Sequence, residues 1–199
     1  MKKFRTIWRH EVRQVDRIVK ALLEHKKVVL DWTVILLPIF LNRVYQYRKS
    51  LRETRKNMLY TRQFAFDAAK NISQGKDQAW EVRRIEIKTQ EVLEEHKKGF
   101  YTEKIRRKQL AEIELLIKHY LDLFSSEQST YTGVIKDRYP SKGNYLAFLN
   151  TLQKAEEEVI QAAITSMRKG SKKERRQWFQ KVKETTKKIR AAEAEEIYT

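Results

Sequence analysis

The 199-residue chain has no cysteine, only two prolines and only five glycines. Lack of cysteine excludes disulfides, thiolate metal ligands and cysteine nucleophiles together, and fits a reducing compartment. So few turn-formers argue against sheets, which need frequent Gly, Pro or Asn between strands, and for long helices. Five glycines do not supply a Walker loop or a dinucleotide fingerprint, and neither pattern is present. The four histidines, His10, His25, His96 and His119, are scattered, and none has a Glu three positions before it. The Glu-x-x-His pattern of helical di-iron bundles is therefore missing, as is His-Glu-x-x-His. Each histidine reads as a surface or helix-packing residue.

The remaining candidates for chemistry are weak. Ser166-Met-Arg-Lys169 has the form Ser-x-x-Lys without a companion Lys-Thr-Gly. Glu156, Glu157 and Glu158 are consecutive and so point around a helix instead of converging, which reads as a solvated face. Glu86 with Glu91, and Glu112 with Glu114, offer nothing better. The expectation is no catalytic residue, no metal site and no cofactor.

Charge is what the sequence has in abundance. Asp, Glu, Lys and Arg make up 35% of the residues, and the formal net charge is +17. Residues 1–62 carry a surplus of 11 positive charges, residues 63–167 balance to zero, and residues 168–190 carry a surplus of 9. Two basic blocks flanking a neutral middle attract phosphate, whether on lipid head groups or on nucleic acid.

The first segment reads as an amphipathic helix. Trp8, Val12, Val15, Val19 and Leu22 form its apolar stripe, and Arg5, Arg9, Arg13 and Arg17 form a row four residues apart. An Arg row opposite a Trp-bearing stripe suits a helix lying in a bilayer interface. Next comes LDWTVILLPIFLNRVYQYRKS. Between Val28 and Leu41 the only polar residues are Asp31 and Thr33. Fourteen residues of helix reach roughly 21 Å, short of the ~30 Å hydrocarbon core. Trp32, Val34, Ile35, Leu36, Leu37, Pro38, Ile39, Phe40, Leu41 and Tyr45 are the expected membrane-anchoring residues. Pro38 is expected to kink or break the segment. Arg43, Arg48, Lys49, Arg52, Arg55 and Lys56 follow and, with the Arg5–Arg17 row, are the expected contacts to anionic head groups. Whether residues 28–45 span the bilayer, re-enter it or form a buried core helix stays open at this level. Asp31 reads as a boundary residue within reach of Lys26 or Lys27.

Beyond it, the pattern predicts a helix ending near Gly75, its basic half running to about Arg62. Helices near 77–98 (Trp80, Ile85, Val92) and 101–124 (Leu110, Ile113, Ile117, Phe124) follow, then a loop over 125–143 rich in Ser, Thr and Gly. A long helix continues the stripe Tyr145, Phe148, Leu152, Ala155, Val159 and Ala162. Ser171-Lys-Lys-Glu174 has the form of a capping box and opens a last helix, with Trp178, Val182 and Ile189 on its inward stripe. The expected architecture is all-α: long amphipathic helices in a bundle, with residues 1–62 as a basic anchor and 63–199 as the bundle body.

Two stretches carry a family resemblance. ILLPIFLNRVYQYRK near the N-terminus and YLAFLNTLQKAEEEVIQAAI…RKGSKK…RAAEAEEIY near the C-terminus resemble a bacterial family of small basic proteins without an assigned activity. The resemblance implies a helical, membrane-linked protein and brings no functional residue with it. The function expected from the chain is a non-catalytic scaffold or accessory protein on the cytoplasmic face of a membrane. It would bind anionic head groups and a protein partner. The alternative is a soluble basic helical protein that binds nucleic acid through KGSKKERRQWFQKVKETTKKIR.

Overall fold

The structure, a computed structural model, describes residues 2–23, 37–95, 101–166 and 171–199; for 37–47 the description covers the backbone only. Among these residues there are seven helices and no strand. They are α1 (Lys2–Leu22), α2 (Leu37–Ser73), α3 (Gln78–Glu95), α4 (Glu103–Ser125), α5 (Tyr131–Arg138), α6 (Lys142–Ser166) and α7 (Lys172–Tyr198). The all-α bundle expected from the scarcity of breakers is the fold.

Local chemistry sets the boundaries. Gly75 adopts φ of 91°, a left-handed conformation that closes α2. Its N–H donates to the Ile72 carbonyl at 2.9 Å, and the next N–H, of Lys76, reaches Asn71 at 3.1 Å, which is the Schellman arrangement. Asp77 caps α3 by accepting from the Trp80 N–H at 2.7 Å, and Thr102 caps α4 through Ile105. The capping box at Ser171 is present in full: Ser171 Oγ accepts from the Glu174 N–H, and the Glu174 carboxylate accepts from the Ser171 N–H.

Packing follows the stripes. α2 packs most extensively on α4, where Ala65, Ala68 and Ala69 are fully buried and let the backbones approach. Phe66 fills the space beside them, edge-on to Tyr120 and Phe124. The main core joins these residues to Ile113, Leu116 and Ile117 of α4, Tyr145, Leu149 and Leu152 of α6, and Ala194 and Ile197 of α7. A second cluster gathers Val15, Ile18, Val19, Leu22 and Leu23 around Val182, with Leu51, Met58 and Leu59 of α2 against it.

Three expectations are corrected. The 125–143 segment is not a plain loop, because Thr130 caps α5 within it and buries Val134 and Ile135. A boundary after residue 62 falls inside the continuous helix α2. Pro38 belongs to the described part of α2, and the residues before Leu37, where a kink or break of the 28–45 segment would show, lie outside the described residues. The apolar stripe of α1 is buried in the bundle, with Ile7, Val15, Ile18, Val19 and Leu22 at most 3% exposed, and so faces protein instead of lipid.

Candidate anionic-surface site and the buried ion network

Two polar features stand out: a charged network inside the bundle and a basic end outside it. Inside, the Arg62 guanidinium donates to Glu11 of α1 and to Glu156 of α6, each at 2.6 Å. Arg190 of α7 donates to the same Glu156 carboxylate at 2.8 Å. Burial pulls the Arg62 pKa down, but Glu11 and Glu156 more than offset it and hold the guanidinium charged. Burial likewise pushes Glu156 up, and the two arginines outweigh it and keep the carboxylate ionised. One turn beyond, Glu193 accepts from the Tyr145 hydroxyl at 3.0 Å and the Tyr131 hydroxyl at 3.3 Å, and lies 2.7 Å from His10 Nε2.

Two further groups bury without a counter-charge in contact. Glu112 accepts from Thr61 at 2.6 Å, and burial, with the nearby Glu156 charge, pushes its pKa up to about 7. His119 is 4% exposed, stacks on Phe148 and bonds the Tyr139 hydroxyl at 2.8 Å; burial pulls its pKa down to about 4. The network encloses a cavity of about 30 Å³ lined by Glu11, Gln14, Arg62, His119, Tyr145, Arg190 and Glu193, among others. Organic ligands occupy some 300–1,000 Å³. The chamber admits water and nothing of substrate size. Arg62 pairs with the Glu11 carboxylate that lines it, Glu193 is held by tyrosine hydroxyls and His10, and no cluster of three metal-ligating side chains occurs among the described residues.

Sequence reading missed this network. In the sequence Arg62 reads only as the end of a basic helix half and Glu156 as part of a solvated face, yet the residue exposure of Arg62 is 5% and the Glu156 side chain is 15% exposed. The ordinary signal, charge in a helix, points outward. Only the three-dimensional meeting of α1, α2, α6 and α7 reveals the pairing.

The basic end arises from helix direction. α1 and α2 run antiparallel: Trp8 packs on Phe66, Glu11 bonds Arg62, and Asp16 bonds Arg55. α7 brings Val182 to Leu22 and Leu23, and Ile197 to the main core with Ile7. The basic half of α2 and the basic half of α7, more than a hundred positions apart in sequence, therefore reach the same end of the bundle. Arg48, Lys49, Arg52, Arg55 and Lys56 are exposed there, as are Lys172, Lys173 and Arg176. A shallow recess along α7 is lined by Lys172, Lys173, Arg176 and Lys181 with Gln177, Gln180 and Glu184. Arg5, Arg9, Arg13 and Arg17 are exposed as a row along α1, and Arg17 contacts Glu196 at 3.3 Å.

Trp178 is 47% exposed and does not join Val182 in the core as its spacing implies. Burial on α7 begins only at Val182. Trp32, Val34, Ile35 and Leu36 of the expected anchor, with Asp31, lie outside the described residues. Leu37, Pro38, Ile39, Phe40, Leu41 and Tyr45 belong to the first turns of α2, as does Arg43, and their side chains are not described. No helix among the described residues is long and apolar enough to cross a membrane.

No protein-family model matches the chain, and comparison with curated proteins and with solved structures gives no match.

Proposed function

We propose that this protein is a non-catalytic helical adaptor that binds an anionic membrane surface through its basic end, leaving the bundle body to contact a protein partner. The convergence of residues 48–56 and 172–181 on one end carries this reading. A polybasic surface gains about 1 kcal/mol per Lys or Arg held near anionic lipid. α1 leads into that same end at Leu22 and Leu23, and the sequence that follows contains, from Val28 to Leu41, the most apolar run in the chain. Cations beside an apolar segment match a lipid surface, which offers both phosphate and hydrocarbon. On this reading the protein works peripherally on a cytoplasmic face.

A second reading has one observation in its favour. Trp178 is exposed among Lys172, Lys173 and Arg176, and an aromatic between cations is also how single-stranded nucleic acid is held. It gives no use to the apolar run. Co-sedimentation with vesicles decides between the two. The membrane reading expects binding to phosphatidylglycerol vesicles, little to phosphatidylcholine vesicles, and no competition from oligonucleotide at low micromolar concentration. Binding to oligonucleotide with no binding to either vesicle would replace the first reading with the second.

A further inference from the structure

We infer that the bundle docks end-on, its basic end against anionic phospholipid with the Trp178 indole at head-group level, while Trp80 stands away from the surface at the opposite end. The inference rests on the membrane reading above and adds an orientation and an anchoring residue to it.

The two exposed indoles among the described residues mark the two ends. Trp178 is 47% exposed and Trp80 is 62% exposed, whereas Trp8 packs on Phe66 with ring centroids 5.1 Å apart. Trp80 opens α3 directly after the Gly75 turn, where Asn71 of α2 bonds Glu81 at 3.1 Å. Trp178 lies one turn before Val182, which shares a cluster with Leu51 of α2. Asn71 and Leu51 are twenty residues apart on one continuous helix, which is roughly 30 Å at 1.5 Å per residue.

Their electrostatic surroundings differ as well. Near Trp80 the charges balance: Arg84 pairs with Glu81 at 2.6 Å and Arg83 with Glu86 at 2.9 Å, and Asp77 follows Lys76 in the chain. Around Trp178 stand exposed Lys172, Lys173 and Arg176. The acid among them, Glu174, has its carboxylate engaged by the N–H and hydroxyl of Ser171, 2.8 Å from each. An indole beside cations that form no ion pair among the described residues suits the head-group layer, where its N–H meets water and its ring meets acyl chains. An indole among paired charges has no such preference. The competing orientation is side-on, with the Arg5–Arg17 row of α1 laid along the surface.

The test uses phosphatidylglycerol vesicles with bromine on shallow acyl positions, which quench nearby tryptophan. One variant keeps Trp178 alone (Trp8→Phe, Trp32→Phe, Trp80→Phe), and the other keeps Trp80 alone (Trp8→Phe, Trp32→Phe, Trp178→Phe). End-on docking gives quenching and a blue shift for Trp178 and unchanged emission for Trp80. Because Trp8 packs in the core, a second pair avoids touching it. The chain has no cysteine, so Gln177→Cys and Gln74→Cys each place one environment-sensitive fluorophore in an otherwise native protein. The label at 177 should respond to vesicles and the label at 74 should not. Equal responses at both ends, a response at the Gly75 end alone, or none at either end of a protein that sediments with vesicles would overturn the orientation and leave the membrane reading standing. Failure to sediment with anionic vesicles would remove both.

Discussion

Arg62 and Glu156 lie 2.6 Å apart and 94 residues apart in sequence, and their contact joins α2 to α6 inside the bundle. Glu156 has a second cation in Arg190, whereas Arg62 is the cation bonded to Glu11. The two arginines are therefore unequal. Arg62→Met strands the Glu11 carboxylate and weakens the hold on Glu156, and should cost about 3–5 kcal/mol of unfolding free energy. Arg190→Met leaves Glu156 bonded to Arg62 and should cost clearly less. Urea unfolding of both variants measures this. Equal losses would mean that the network does not have this hierarchy.

Glu112 and His119 set opposite pH dependences. Glu112 is raised from an ordinary 4.5 to about 7, so its contribution is fully present below 4.5 and is lost as pH rises through 7. His119 is lowered from 6.5 to about 4, so its contribution is present above 6.5 and is lost as pH falls through 4. Between about 4.5 and 6.5 the two oppose, and stability from this pair should be nearly flat. Glu112→Gln removes one arm. The variant should then gain stability with rising pH up to about 6.5, by about 3 kcal/mol. Thermal melts from pH 4 to 8 provide the comparison, and a variant with the parent's flat profile would contradict the assignment.

Much of the architecture can be read from the chain, because a helix announces itself locally. Scarce Gly and Pro, the Gly75 stop, the Ser171–Glu174 box and the stripes through Ile113, Ile117, Leu152 and Ala162 all act within a turn or two. The ion network does not. Arg62 and Glu156 look like solvated charges, since nothing near either of them names a partner on another helix. Trp178 fails for a different reason. Its four-residue spacing from Val182 says which face of α7 it occupies, but periodicity cannot say how far along the helix the bundle reaches. The convergence of the basic segments needs the antiparallel path of α1, α2 and α7, which no single segment encodes.

Gly75 is a local test of the fold. A side chain there would meet no atom within 4 Å, so the cost of Gly75→Ala is that of φ 91° alone. It should destabilise by about 1 kcal/mol, and Gly75→Asn by less, because Asn tolerates the left-handed region better. Denaturant midpoints of the two variants provide the check. An alanine variant as stable as the parent would show that the turn relaxes to another conformation.

The basic row on α1 distinguishes charge at the docking end from charge in general. If the whole Arg5–Arg17 row contacted lipid, replacing Arg5 and Arg9 with Gln would weaken binding to anionic vesicles as much as replacing any two cations. In the structure, Arg5 and Arg9 flank Ile7, which belongs to the main core with Ile197, at the end away from Leu51 and Val182. End-on contact therefore expects Arg5→Gln with Arg9→Gln to change vesicle affinity by less than about threefold. Arg48→Gln with Lys49→Gln and Arg52→Gln removes three cations from the docking end and should cost roughly a hundredfold at low salt, at about 1 kcal/mol each. Neutral vesicles should register neither change. The apolar contribution is separable from both: Ile35→Asp with Leu36→Asp and Ile39→Asp should reduce binding even at high salt, where the cations are screened. Retention of the triple-Asp variant on vesicles in high salt would remove the apolar run from the interface and leave an electrostatic contact alone.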